Sequence, residues 1–572
     1  MREKIFAGEG KIKSDTLLVN CRIVNVNTKE ITTGDIAISS GFIAGIGNVE
    51  GLIGDKTKII DIKNDYVCPG LLDGHVHFES SMVTLSQFAK ISMLHGTTGI
   101  VIDPHEIANI MGTKGIRLIL QEAKRLPIDV FITISSCVPS TPLETSGAKI
   151  SLSGMKQFLD KKFIVGLGEV MDYHKVLHGD PEKLGMIRAS LERKLVVDGH
   201  GPGMRGKELF GYMSAGISSD HESVTYDEML EKARLGMKIM LREGSAAKCL
   251  EDFIPKLVRD RISLENFFFV TDDKHSGDLM EGHMNLIVRS AIRLGIDPIQ
   301  AISMATINTA RHFRIDQLVG SISIGRRANL VILDDLADFR IKNVMLRGRL
   351  NPEVEEIEYP GFVFNTVKYK KIQPDDLKIR SGKKAVPAHV MEIVPGQLIT
   401  NRSIEDLRTD GQFVLPDVEL DILAIAVIER HGKSGNIGRG FVRGFGLKEG
   451  AIGQSIAHDS HNVIIVGTNF EDMAVCANKI RELQGGIVIA NDTVIDCLRL
   501  LFGGILSTES VFDVDKKLKE LHEKVKAMGC KLDGPFIHLS FLALPVIPSL
   551  KITDKGLVDV EAFKLIAPVE NK

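Results

Sequence analysis

The chain has 572 residues, 44% of them hydrophobic and 25% charged, an ordinary globular composition that can bury the cores of two to four domains. Its formal charge of −3, from 71 basic and 74 acidic side chains, provides no long-range field to recruit nucleic acid or an anionic membrane, so neither is expected as a partner. Seven cysteines, odd in number and never spaced as CxxC, argue against a disulfide framework and a thiolate zinc site, and for a reducing cytoplasm.

Along the chain, Met1 to Gly10 lacks the apolar segment of a signal peptide. The most apolar later stretch, Phe541 to Leu550, is short and broken by Pro545 and Pro548, so neither export nor a membrane span is expected. Residues 14–66 hold short β-rich runs punctuated by Gly and Asn. Eight strand-like runs follow, near 68–76, 97–103, 129–135, 163–169, 194–200, 215–221, 237–243 and 267–273, each separated by room for a helix. Runs of Val, Ile, Leu and Phe alternating with amphipathic stretches such as Ile116 to Arg125 are the pattern of βα units on a parallel sheet buried on both faces. Eight such units predict a (β/α)8 barrel over 67–319. The alternative, a doubly wound open sheet, lacks a Gly-rich dinucleotide fingerprint after any strand. A β-rich piece returns at Gly320 to Leu333 and Lys342 to Gly348, which predicts a small β-sandwich domain built from 1–66 and 320–365. The chain is Lys-rich and polar from about 365 to 385, a boundary, and a C-terminal α/β domain is expected over 385–572.

Several barrel runs end in potential ligands. His75 and His77 are two apart on a strand, so both imidazoles reach the same face. Later runs end at Glu169, at His200, at His221 followed by Glu222, and at Asp272 and Asp273. Imidazole and carboxylate are ligand types that suit Zn, Mn, Fe or Co, and four His with two carboxylates make an inventory for two ions. The C-terminal ends of barrel strands are where this fold gathers its catalytic groups.

The strings Gly74-His75-Val76-His77-Phe78-Glu79, Asp103-Pro104-His105-Glu106, His200-Gly201-Pro202-Gly203, Ser219-Asp220-His221-Glu222 and Arg242 to Ala247, with His458-Asp459-Ser460-His461-Asn462 far downstream, resemble the amidohydrolase superfamily and, within it, the adenine deaminase family. The resemblance implies two divalent metal ions, Mn first and Fe or Zn as alternatives. It puts His75, His77 and Asp272 on one ion and His200 and His221 on the other. Glu169 is the bridge, where many members use a carbamylated lysine. The implied reaction is hydrolytic deamination of adenine to hypoxanthine and ammonia, a purine salvage step in the cytoplasm. Asp272 serves as ligand and proton carrier.

Glu79 is the first candidate for the acid that protonates N1 of the purine; the competing reading turns it to a backbone amide, Ser80 or Ser81. Arg242 is a candidate for binding purine nitrogens or for pairing with Glu243. His105 and Asp273 are candidates for substrate contact, and Glu222 either orients His221 or opens a helix. His458 and His461 have a metal-like spacing but no third ligand nearby in sequence, so capping or surface roles are expected. Two other functions compete: another amidohydrolase acting on a different aminated heterocycle or cyclic amide, and a non-catalytic scaffold. Glutamate at 169 counts against a cyclic-amide hydrolase, and the complete ligand set against a scaffold. The oligomeric state, a homo-oligomer included, stays open.

Overall fold

Gly70 divides the first of these apolar runs into two strands that serve different sheets. In the computed structural model, which describes residues 1–245 and 247–570, Ala246 of the Arg242–Ala247 string lies outside the described residues. The upstream strands are β1 (Thr16–Asn25), β2 (Glu30–Ser39), β3 (Phe42–Gly47), β4 (Lys58–Asp61) and β5 (Tyr66–Pro69). Beyond Gly70, packed too close to Thr98 for any side chain, the chain enters β6 (Leu71–His77), buried at every position.

The parallel strands that follow are β7 (Thr97–Ile102), β8 (Asp129–Ile134), β9 (Ile164–Val170), β10 (Val196–Gly199), β11 (Ser219–Asp220), β12 (Lys238–Arg242), β13 (Phe267–Val270) and β14 (Asp272–Asp273). They hydrogen-bond in the order β10-β9-β8-β7-β6-β14 and, separately, β11-β12-β13. Because β13 continues into β14, these two sheets form one curved wall, and Ser218 N donating to Val197 O at 3.0 Å bridges the seam between β10 and β11. The result is a (β/α)8-like domain.

Two expected strands shrink, for local reasons. The sixth keeps only Ser219–Asp220, because the helix Gly206–Ser214 ends in a turn through Gly216, whose φ is +100°. The eighth breaks at Thr271, where Asp272 adopts a left-handed φ of +60°. Asp73 fixes that break in place: it is fully buried and accepts hydrogen bonds from Thr271 N at 3.1 Å and from the Thr271 hydroxyl.

After the barrel, β15 (Leu330–Asp335), β16 (Arg340–Leu346) and β17 (Arg349–Leu350) rejoin the first sheet. Its order is β17-β16-β15-β5-β1-β2-β3, with β4 on β1 and Val331 of β15 opposite Cys68 of β5. The C-terminal body is an eight-stranded sheet of β18 (Ala385–Ile393), β19 (Thr400–Arg408), β20 (Ile422–Ile428), β21 (Ile437–Arg443), β22 (Ala451–Gln454), β23 (Val463–Gly467), β24 (Gly486–Asn491) and β25 (Thr493–Arg499). The helix Phe470–Leu483 packs its apolar face on this sheet.

This body lies over the mouth of the barrel. Ser507 N donates to Met82 O at 2.7 Å, the Thr553 hydroxyl to Leu143 O at 2.7 Å, and Thr145 N to Asp554 Oδ1 at 2.8 Å. Among the described residues no helix is long and apolar enough to cross a membrane, and all seven cysteines are free thiols.

Candidate metal centre

Parallel strands that end together place their last side chains around one point, and here that point is Glu169 at the end of β9. Its Oε1 lies 2.8 Å from His77 Nε2 and 3.2 Å from His75 Nε2; its Oε2 lies 2.7 Å from His200 Nδ1 and 3.5 Å from His221 Nε2. Asp272 joins from the opposite side, with Oδ1 3.2 Å from His77 Nε2 and 3.5 Å from His75 Nε2. The six residues expected as ligands are thus brought together. All are buried except His200, whose side chain is 21% exposed.

Neighbours fix the orientations. His77 Nδ1 contacts Asp103 O at 3.0 Å, which aims Nε2 at the centre, and Asp103 also accepts Glu169 N at 3.2 Å. Lys232, fully buried, donates to Gly201 O and to Asp220 and Glu228, which ties the His200 loop to the strand before His221.

The electrostatics of the cluster favour a cation. Burial alone would raise the carboxyl of Glu169, but His221 and His200 hold it well below the usual range. For Asp272 burial is likewise outweighed, first by Arg242 and then by His75 and His77. Burial depresses His75, yet Asp272 and Glu169 reverse this and lift it to about 10; Glu222 and Glu169 lift His200 to about 9 against the same penalty. His75 Nε2 and His77 Nε2 face each other at 3.2 Å, and Glu169 Oε1 and His221 Nδ1 are buried without a hydrogen-bond partner, an arrangement that is costly unless an ion or ligand completes it. A convergent set of imidazoles and carboxylates fits a divalent metal.

The other candidates lie around this centre. Arg242 pairs with Glu222 and, at 2.7 Å, with Asp272 Oδ2; it does not pair with Glu243, whose carboxylate receives Leu250 N. Glu222 precedes rather than opens the helix Tyr226–Arg234, and its Oε1 is 3.5 Å from His221 Nε2. Asp273 accepts the Ser80 hydroxyl. The His105 ring packs tilted by 52° against the His77 ring, centroids 4.3 Å apart, with Nδ1 3.9 Å from Glu169 Oε1. Glu79 is buried, receives Ile107 N at 3.4 Å rather than a bond from Ser80 or Ser81, and has its Oε2 unpartnered. Burial and then Glu106 push it up to about 8. It lines a small chamber of about 20 Å³ beside the main cavity, shared with Glu106, His458 and His461.

One expectation is corrected. His458 and His461 are neither caps nor surface residues but buried at 7% and 0% exposure, and the ligand missing from their local sequence is Glu106 of the barrel. His458 Nδ1 lies 2.7 Å from Glu106 Oε1, and His461 Nε2 contacts Glu106 Oε2. Ala457 N donates to His461 Nδ1 at 3.3 Å, which leaves Nε2–H for Glu106. The spacing was the available signal, but it could not name a partner so remote in sequence. Asp459, between the two histidines, was missed altogether. It lines the main cavity of about 650 Å³ together with His77, His105, Glu169, Arg242 and Asp272.

The family model for the amidohydrolase family matches residues 66–351, and that for the adenine deaminase C-terminal domain matches 397–564. The chain is similar over its whole length to an adenine deaminase of Methanococcoides burtonii, at 54% identity over 100% of this chain and 98% of that protein. It is also similar to adenine deaminases of Archaeoglobus fulgidus, at 42% identity over 99% and 97%, and of Geobacillus kaustophilus, at 41% over 100% and 99%.

Proposed function

Because this chain belongs to the amidohydrolase family and, across its whole length, to the adenine deaminases within it, we propose that its strand-end cluster is the centre at which adenine is hydrolysed. The reaction is adenine plus water to hypoxanthine plus ammonia. The observation that carries the site assignment is the convergence of His75, His77, His200, His221 and Asp272 on the two oxygens of Glu169 or beside them. In our reading these residues would hold two divalent ions, Mn first among Mn, Fe and Zn: His75, His77 and Asp272 would serve one, His200 and His221 the other, and Glu169 both.

Divalent ions in such a donor set supply Lewis acidity and bring the pKa of a bound water from 15.7 to about 7 to 9. The protein's own groups do the rest. Asp272, held ionised by Arg242, takes the proton of the water that adds at C6 and passes it to the amino nitrogen as the C6–N6 bond breaks. Glu79 is the proposed acid for N1: at about 8 its carboxyl keeps its proton at neutral pH, next to the His77 side of the cavity. Arg242, His105 and Asp273 are the proposed contacts of the ring, and Glu222 positions His221 and Arg242.

The finer architecture belongs to the same proposal. It comprises a β-sandwich of 1–66 and 320–365, supported by the pairing of β15 with β5, a catalytic barrel at 67–319, and a C-terminal α/β domain at 385–572. So do a cytoplasmic location, supported by seven free thiols, a role in purine salvage, and a homo-oligomeric assembly.

The test is hypoxanthine and ammonia formation from adenine by protein loaded with Mn(II), beside a metal-stripped sample. Conversion only in the loaded sample supports the reading. No conversion, with metal shown to be bound, would move the substrate to another aminated heterocycle.

A further inference from the structure

The cavity has a second wall, supplied by the C-terminal body. Part of it is apolar, with Leu398, Phe541, Val546 and Pro548 facing the barrel mouth, and part is the turn from His458 to Asn462 between β22 and β23. That turn is rigidly held. Arg430, fully buried, donates to His461 O, to Thr366 Oγ1 and to Gly503 O. Asn462 receives Arg430 N and donates to Thr145 O at 2.9 Å, and the His458 ring stacks at 4.4 Å on Phe541. His458 Nδ1 and His461 Nε2 each face a Glu106 oxygen, and His461 Nδ1 accepts Ala457 N.

Asp459 is different. It is 4% exposed, its Oδ2 is buried with no hydrogen-bond partner, and the imidazole nitrogens His105 Nε2 and His458 Nδ1 stand 3.9 Å and 3.8 Å from its Oδ1, both beyond hydrogen-bond range. A carboxyl fixed by so firm a turn, lining the cavity and lacking a donor, is completed by an N–H from a ligand.

The chemistry of the substrate says which N–H. Adenine offers donors at only two places, the 6-amino group and the single N–H of its imidazole ring; N1, N3 and the second imidazole nitrogen accept. The amino group leaves, so it must lie at the Glu169–Asp272 centre. Asp459 is separated from that centre by the width of the His105 ring, whose two nitrogens are each 3.9 Å from a carboxylate, Nδ1 from Glu169 and Nε2 from Asp459. A bicyclic ring lying along His105 with C6 at the metal centre directs its imidazole edge toward Asp459. Resting on the reading that this cavity deaminates adenine, we infer that Asp459 of the C-terminal domain accepts the imidazole N–H of the purine. Through that contact it selects the free base over N9-substituted purines, nucleosides included. Substitution at N9 removes the donor and leaves the buried carboxyl unpaired, the situation in which a site rejects a ligand most strongly.

The experiment compares kcat/KM for adenine and 9-methyladenine in wild type, Asp459→Asn and Asp459→Ala. Wild type is expected to prefer adenine by at least about 100-fold. Both variants are expected to lose about 10- to 100-fold on adenine, chiefly in KM, and little on 9-methyladenine, so that the preference collapses. Equal losses on both substrates, or an unchanged preference, would overturn the assignment. If neither variant folds, inhibition of the wild type decides: purine should compete with adenine at least about ten times more tightly than 9-methylpurine, and equal inhibition would refute the contact. Failure of the wild type to convert adenine would strike the deaminase reading instead and is seen in the same assay.

Discussion

On the barrel side of the cavity, His75, His77, Glu169, His200, His221 and Asp272 each stand at or just past the end of a different strand segment or share one. On the opposite side, His458, Asp459 and His461 stand on a single turn, from which the two histidines reach across to Glu106, a residue of the barrel. The first set is arranged by the backbone of one domain, whose parallel strands deliver side chains to a common end. The second exists only when two domains meet. A site of the first kind can keep its geometry if the roof is perturbed; one of the second kind makes domain docking and cavity shape the same event.

This contrast can be broken in four places. The largest effect is expected at Asp272→Asn, which keeps the shape but removes the proposed proton carrier: hypoxanthine formation should fall by about 10³-fold or more, and near-normal turnover would refute the role. Next is Glu106→Gln, which takes the charge from the hub of His458 and His461. Breaking a buried pair from one side should lower unfolding free energy by about 3 kcal/mol in urea titration while metal analysis stays unchanged. Metal loss instead would make Glu106 part of the barrel set.

The third test is Lys551→Met, read by stability against pH. Lys551 is fully buried in the C-terminal body and donates to Leu398 O, and burial brings its amine down to about 7. In the unfolded chain a lysine stays protonated up to about 10.5. Between pH 7 and 10.5 the unfolded state therefore binds more protons, and stability rises with pH across that window. The wild type should gain on the order of 2 kcal/mol from pH 7 to pH 9, a rise the methionine variant lacks; parallel curves would contradict the depressed amine. The smallest effect is expected from Phe541→Leu in the apolar roof, a severalfold rise in KM from about 1 kcal/mol of lost contact, with kcat and bound metal unchanged.

How far the sequence could be read follows the same division. HxH on one strand and single ligands at the ends of apolar runs are local patterns, so the barrel and its cluster are visible in the chain as printed. The pairing of Arg242 with Glu222 and Asp272 was not, because sequence adjacency favoured Glu243 while strand geometry turns residue 243 to the other face. The role of His458 and His461 was hidden because burial there depends on docking, which no periodicity within either segment encodes. The sixth strand was overread because Ala215 to Ser218 is apolar enough for a strand, but Gly216 takes the left-handed turn that ends the preceding helix.

The first sheet gives synthesis of this protein a timetable. β5 meets β1 early, but its other partner is β15, and 263 positions separate Cys68 from Val331. At translation rates of about 5 to 20 residues per second, the free edge of β5 waits roughly 10 to 50 seconds for its neighbour. Throughout that interval the nascent chain carries an open strand edge of the kind that pairs with other chains. The barrel that grows out of β5 through Gly70 is thus also the spacer that delays closure of the sheet, and a ribosome stalled within it leaves that edge uncovered.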